Sequence, residues 1–99
     1  MILKIVNGRL DLLSDSGGRI RTIAQSNVID AALSDDEKSV LITYNNGRTD
    51  LCNDSGGRKS TVVESNAVKA IFHNSDILIT LKNGDMELRN QNGGKIRSI

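Results

Sequence analysis

Residues 65–99 read SNAVKAIFHNSDILITLKNGDMELRNQNGGKIRSI. Short apolar or alternating runs fill this stretch, and each break between them is a turn signal. Ala67 to Phe72 is rich in small residues. Ile77 to Leu81 is apolar on both faces. Asn83-Gly84 follows at once, the pair favoured in two-residue hairpins because both central positions need positive φ. From Asp85 to Arg89 the pattern alternates, Met86 and Leu88 on one face, Asp85 and Glu87 on the other. Gly93-Gly94 turns the chain again, and the polar run Lys95 to Ile99 closes the unit.

The same frame recurs upstream. Asn46-Gly47-Arg48-Thr49-Asp50-Leu51 and Asn7-Gly8-Arg9-Leu10-Asp11-Leu12 align with Asn83-Gly84-Asp85-Met86-Glu87-Leu88. Asp54-Ser55-Gly56-Gly57-Arg58 and Asp15-Ser16-Gly17-Gly18-Arg19 align with Gln91-Asn92-Gly93-Gly94-Lys95. Ser26-Asn27-Val28 matches Ser65-Asn66-Ala67. The offsets are 39 and then 37 residues, and the shortening falls where Ser34-Asp35-Asp36-Glu37-Lys38-Ser39 becomes His73-Asn74-Ser75-Asp76. A polar surface turn tolerates such a change. The pattern predicts four strands per unit, with Ile2 to Val6, Arg9 to Leu13 and Arg19 to Ala24 as the three of the first. That makes eleven strands in one repeat domain, with units 1–25, 26–64 and 65–99.

Composition agrees. Gly, Asn, Asp and Ser make up 38 of 99 residues, there is no Pro, and the only aromatics are Tyr44 and Phe72, which read as core. No window carries helical periodicity. Thirteen basic and twelve acidic residues leave a net charge of +1, which gives no electrostatic reason to expect nucleic acid or membrane as partner. Rings for stacking sugars or bases are scarce. No apolar run is long enough to span a bilayer, and Ile2 to Val6 meets Asn7-Gly8 too soon for a signal peptide. A cytoplasmic protein is expected.

Small-residue inner strand, apolar second strand, amphipathic third strand and polar outer edge, in units of about 38 residues, resemble WD-repeat-type or quinoprotein-type β-propeller blades. The resemblance covers essentially the whole chain. It lacks the Trp-Asp signature, since Leu13-Ser14, Cys52-Asn53 and Arg89-Asn90 stand there. Ser26-Asn27 and Ser65-Asn66 replace the Gly-His pair. What it implies is an architecture. Propellers close with about four to eight blades, so an arc of three, the first incomplete, leaves an apolar face open at each end. Several hundred Å² of exposed apolar surface exceeds what monomers usually show, and at ~25 cal/mol per Å² its burial is comparable to the stability of so small a domain. Homodimerisation into six blades, with blade one of each chain against blade three of the other, is therefore expected. The alternative is a β-trefoil, whose three repeats would close as a monomer.

Candidate chemistry is sparse. His73 is the single His, in a turn without identifiable partners, and reads as solvated. Cys52 is the single Cys, on a strand without a His-Asp pattern, and reads as a small, partly buried thiol. Asp35-Asp36-Glu37 lacks the ligand spacing of a Ca²⁺ loop. The Gly pairs connect strands and lack the helix and Lys of a phosphate loop. No metal or cofactor is implied, and no enzyme is expected. The one multi-copy polar feature is basic: Arg19, Arg58 and Lys95 after the Gly pairs, Arg9 and Arg48 after Asn-Gly. In a closed dimer the first three would recur around a rim that could take an anionic ligand such as a nucleotide. Against this, Arg9 and Arg48 lie two residues from Asp11 and Asp50 on one strand face, where ion pairs form. The expected function is a non-enzymatic module for protein–protein interaction. A binder or sequestering protein for a small anionic ligand, using these five basic residues, is the alternative.

Overall fold

Asn-Gly and Gly-Gly turns cut the chain into eleven strands in the computed structural model, which describes residues 1–99 and contains no helix. The first sheet holds β1 (Ile2–Val6), β2 (Arg9–Leu13) and β3 (Arg19–Ala24). The second holds β4 (Val28–Leu33), β5 (Ser39–Tyr44), β6 (Thr49–Asn53) and β7 (Arg58–Val63). The third holds β8 (Ala67–His73), β9 (Asp76–Leu81), β10 (Met86–Arg89) and β11 (Lys95–Ser98). Each is an open antiparallel meander. Within each sheet every turn returns the chain to the adjacent strand, only the β3–β4 and β7–β8 links pass to the next sheet, and no sheet closes, so the closed barrel of the trefoil alternative is absent.

One turn expectation needs correction. Asn7 and Gly8 both take positive φ, 51° and 82°, as a two-residue hairpin requires. The second and third units are one residue longer here. Tyr44 N donates to Arg48 O at 2.9 Å and Leu81 N to Asp85 O at 2.8 Å. Only the glycine of each Asn-Gly pair is left-handed, with φ 87° at Gly47 and 91° at Gly84. These are three-residue loops in which a left-handed Gly ends the turn. The asparagine instead accepts a backbone amide, Arg48 N on Asn46 Oδ1 and Asp85 N on Asn83 Oδ1.

The sheets stack face to face in chain order. Leu10, Leu12 and Ile23 of the first pack on Val28, Val40, Ile42 and Cys52 of the second. From the opposite face of the second sheet, Leu41, Leu51 and Val62 pack on Ala67, Ala70, Ile77 and Ile79 of the third. β5 is thus apolar on both faces because it is covered on both, Val40 and Ile42 by one neighbour and Leu41 by the other. Strand meets strand between sheets along β1, β4, β5 and β8, whereas the backbones of the outer strands β3 and β7 meet the next sheet at its Gly-Gly turn. The sheets therefore splay from a line along the small-residue inner strands, where Ala67 and Ala70 are fully buried. Tyr44 and Phe72 are half-buried at the core margin rather than central to it. No helix is long and apolar enough to cross a membrane.

Candidate functional site

The strand directions divide the basic residues into two sets. Arg9 pairs with Val6 beside the Asn-Gly turn, whereas Arg19 pairs with Leu13 at the other end of β2. Arg9 and Arg48 consequently lie near the rim of Asn-Gly turns, and Arg19, Arg58 and Lys95 at the rim of Gly-Gly turns. The five do not converge on one site.

Most of them are engaged. Arg9 grips Asp11 through Nε, 3.1 Å from both carboxylate oxygens, and Nη2 at 2.8 Å. Arg48 Nη2 lies 3.3 Å from Asp50 Oδ2, while its guanidinium stacks on the Tyr44 ring, 4.9 Å from the centroid. Its Nε is buried without an acceptor. The third unit inverts the pattern, because Asp85 stands where Arg9 and Arg48 stand. Glu87 is served from the other side by Arg89, with Nε and Nη2 at 3.1 and 2.8 Å from Oε1. Lys95 Nζ adds a contact at 3.4 Å. Arg19 and Arg58 make no ion pair and are exposed.

Reasoning from sequence missed the partner of these carboxylates on the outer strand. Thr22 donates to Asp11 at 2.8 Å and Thr61 to Asp50 at 3.0 Å. A visible signal existed: in both units the threonine lies eleven residues after the aspartate. Burial on its own raises the Asp11 carboxyl, but the Arg9 and Thr22 hydrogen bonds outweigh it and hold Asp11 below the ordinary carboxylate value. Arg89, its hydrogen bond foremost, holds Glu87 below its ordinary value despite burial.

Cys52 is almost fully buried, not partly, because its side of β6 faces the first sheet. Desolvation there pushes its thiol up to about 11, with the Asp50 charge adding to the effect, so thiolate chemistry at neutral pH is suppressed. His73 is exposed at the end of β8, opposite Asp76. Asp36 is tied into its own turn, accepting from Ser34 Oγ at 2.6 Å and Lys38 N at 3.0 Å. No three His, Cys, Asp or Glu side chains gather as a metal-binding group would.

Three cavities flank the second and third sheets, the smallest, about 280 Å³, beside Asn66, Leu81, Lys82 and Asn83. The largest, about 420 Å³, lies between Thr61–Asn66, Leu81 and the Glu87–Arg89 pair. At the corresponding place between the first and second sheets stands Tyr44 with Arg48 stacked on it, and no cavity opens there. The remaining one, about 340 Å³, is lined by Ser34, Asp36, Phe72, Asn74 and Gln91 among others. None of the five repeated basic residues lines any of the three. No protein-family model and no curated protein matches this chain.

Proposed function

We propose that the chain is a three-blade arc of a β-propeller that closes as a homodimer and serves as a non-enzymatic module for protein–protein interaction. The observation that carries this reading is the splay of the three sheets from their inner strands, which is how blades meet around a propeller axis. The extents support it: 39 Å in one direction and 20 Å in another have the proportions of a half-disc. With three sheets per chain, two chains make six blades.

The rim of Gly-Gly turns suits a protein partner. It mixes Asp15, Asp35 and Asp54 with Arg19, Lys38 and Arg58, all exposed or half-exposed. A surface patterned with both signs selects a complementary patterned surface rather than a simple polyanion. The rival reading, a small anionic ligand such as a nucleotide, draws support from Arg19 and Arg58, the two repeated cations without an ion pair.

One experiment separates them. The protein is heated against a panel of nucleotides and anionic metabolites, and any single protein it captures is titrated against it in purified form. Saturable binding of that protein, with no anion raising the melting temperature, is the expected result. Stabilisation by an anion, abolished in Arg19→Ala and Arg58→Ala, would replace the module with the ligand binder.

A further inference from the structure

Both junctions between neighbouring sheets repeat one set of contacts, that between a Gly-Gly turn and the outer strand of the preceding sheet, and the two ends of the chain carry its unmade halves. In the Gly-Gly turns, a Cβ on Gly56 would lie 2.5 Å from Ile23 O of the first sheet. A Cβ on Gly93 would lie 2.6 Å from Thr61 O of the second. The first glycine of each turn is therefore seated against the outer-strand backbone of the preceding sheet. Gly17 has the same left-handed conformation, φ 94°, and nothing within 4 Å.

The outer strands hold the other half. Arg21 Nη1 donates to the Asp54 backbone carbonyl at 2.9 Å, and Ser60 Oγ to the Gln91 carbonyl at 2.5 Å. Arg97 is the counterpart of Arg21 and Ser60 on β11, and Asp15 is the counterpart of Asp54 and Gln91. Arg97 is exposed and makes no ion pair.

The faces agree. Leu41, Thr43, Thr49 and Leu51 share the face of the second sheet that is buried against the third. Their counterparts on the free face of the third sheet are Leu78, Thr80, Met86 and Leu88, with Ile71 beside them 40% exposed. At the other end, Ile2 is 44% exposed, although its counterparts Val40 and Ile77 are fully buried. Lys4 replaces Ile42 and Ile79 there, directly opposite Asp11. Charge is no bar to burial on this face, since Glu87 and Arg89 occupy it in the third sheet.

The geometry points to a second copy of this chain, docked head to tail, as what covers these ends. The Asp15–Gly18 turn of one copy seats on β11 of the other, Arg97 donates to the Asp15 carbonyl, and Gly17 lies against the Ser98–Ile99 backbone. This inference rests on the propeller reading and adds the atoms of the seam. Its warrant is continuity with the two junctions already formed within the chain: the free faces copy the second, third and outer strands of faces that pack on each other, while the first sheet has no counterpart of the inner strands β4 and β8, so the seam is carried by the turn and these strands.

Sedimentation equilibrium tests it with three proteins: wild type, Arg97→Glu and Gly17→Asn. Asn is the non-glycine residue that best tolerates positive φ, so the second variant adds bulk at the seam with least strain in the turn. Wild type should show twice the 10.7 kDa chain mass. Each variant should weaken self-association about tenfold or more, as loss of a charge-assisted hydrogen bond or a steric block predicts, with an unchanged strand spectrum. Mixing the two variants should recover pairing only in part, because in a mixed ring one seam joins an intact turn to an intact β11 while the other carries both changes. A wild-type dimer that both variants leave intact overturns this seam but not the ring. A wild type with the mass of one chain at every concentration overturns both.

Discussion

Thr22 Oγ1 donates a hydrogen bond to the Asp11 carboxylate at 2.8 Å, from β3 to β2, and Arg9 closes on the same carboxylate from its own strand. The charge is thereby kept ionised on an almost fully buried side chain. Such a group stabilises the fold only while it is ionised.

The pH dependence follows from the sign of the shift. Asp11 and Glu87 lie below their ordinary values of 3.8 and 4.5 in the folded chain. Their stabilisation is complete above those values and is lost as pH falls through the lower folded ones. The melting temperature should hold steady from pH 5 to about pH 7 and drop below pH 4. In Asp11→Asn the acid drop should be shallower. An equally steep drop in that variant would show that the buried carboxylate does not contribute.

β5 should be intolerant of truncation on both faces. Leu41→Ala empties space against the third sheet and Ile42→Ala against the first. Each should cost about 2–5 kcal/mol, which at about 4–8 °C per kcal/mol is a large drop in melting temperature. The two side chains share no cluster but are consecutive on one strand, so any departure from additivity in the double variant measures coupling through the β5 backbone. Chemical denaturation of the single variants reads the costs directly, and a loss under about 1 kcal/mol in either would mean that face is not packed.

Two glycines in the same backbone conformation should respond differently to alanine. Gly47 (φ 87°) and Gly84 (φ 91°) both incur left-handed strain of about 1–3 kcal/mol. At Gly47 the new Cβ would also lie 2.3 Å from Asn66 N, whereas at Gly84 nothing stands within 4 Å. Gly47→Ala should therefore melt at a clearly lower temperature than Gly84→Ala. Equal losses would mean that the turn does not press on the neighbouring sheet.

Cys52 should be unreactive in the native protein. With its thiol raised to about 11 by burial, a disulfide reagent at pH 8 should modify it only as fast as the chain opens, and rapidly in denaturant. Native-state labelling at the rate of a free thiol would contradict its packing against the first sheet.

Much of the fold was legible along the chain. Asn7-Gly8, the Gly pairs and the alternation of Leu10 and Leu12 with Arg9 and Asp11 are local features, and turn chemistry and a two-residue period act locally. They place all eleven strands. The exact loop form at Tyr44–Arg48 and Leu81–Asp85 was not legible, because one added residue moves the positive φ from two positions to one. The Arg9–Asp11 and Arg48–Asp50 pairs were readable from their two-residue spacing. Thr22 and Thr61 were missed, since their contacts span adjacent strands joined through a turn.

The amino-acid order by itself determined where the strands begin and reverse, because those preferences reside in each residue's own backbone and its nearest neighbours. Only the tertiary structure decided which side chains are free. Arg21 and Arg97 hold the same place in their units, yet one is bonded to the next sheet and the other reaches solvent. Cys52 looks like a peripheral thiol until the first sheet covers it. Burial and partnership depend on what a distant part of the chain, or another molecule, brings to the opposite face.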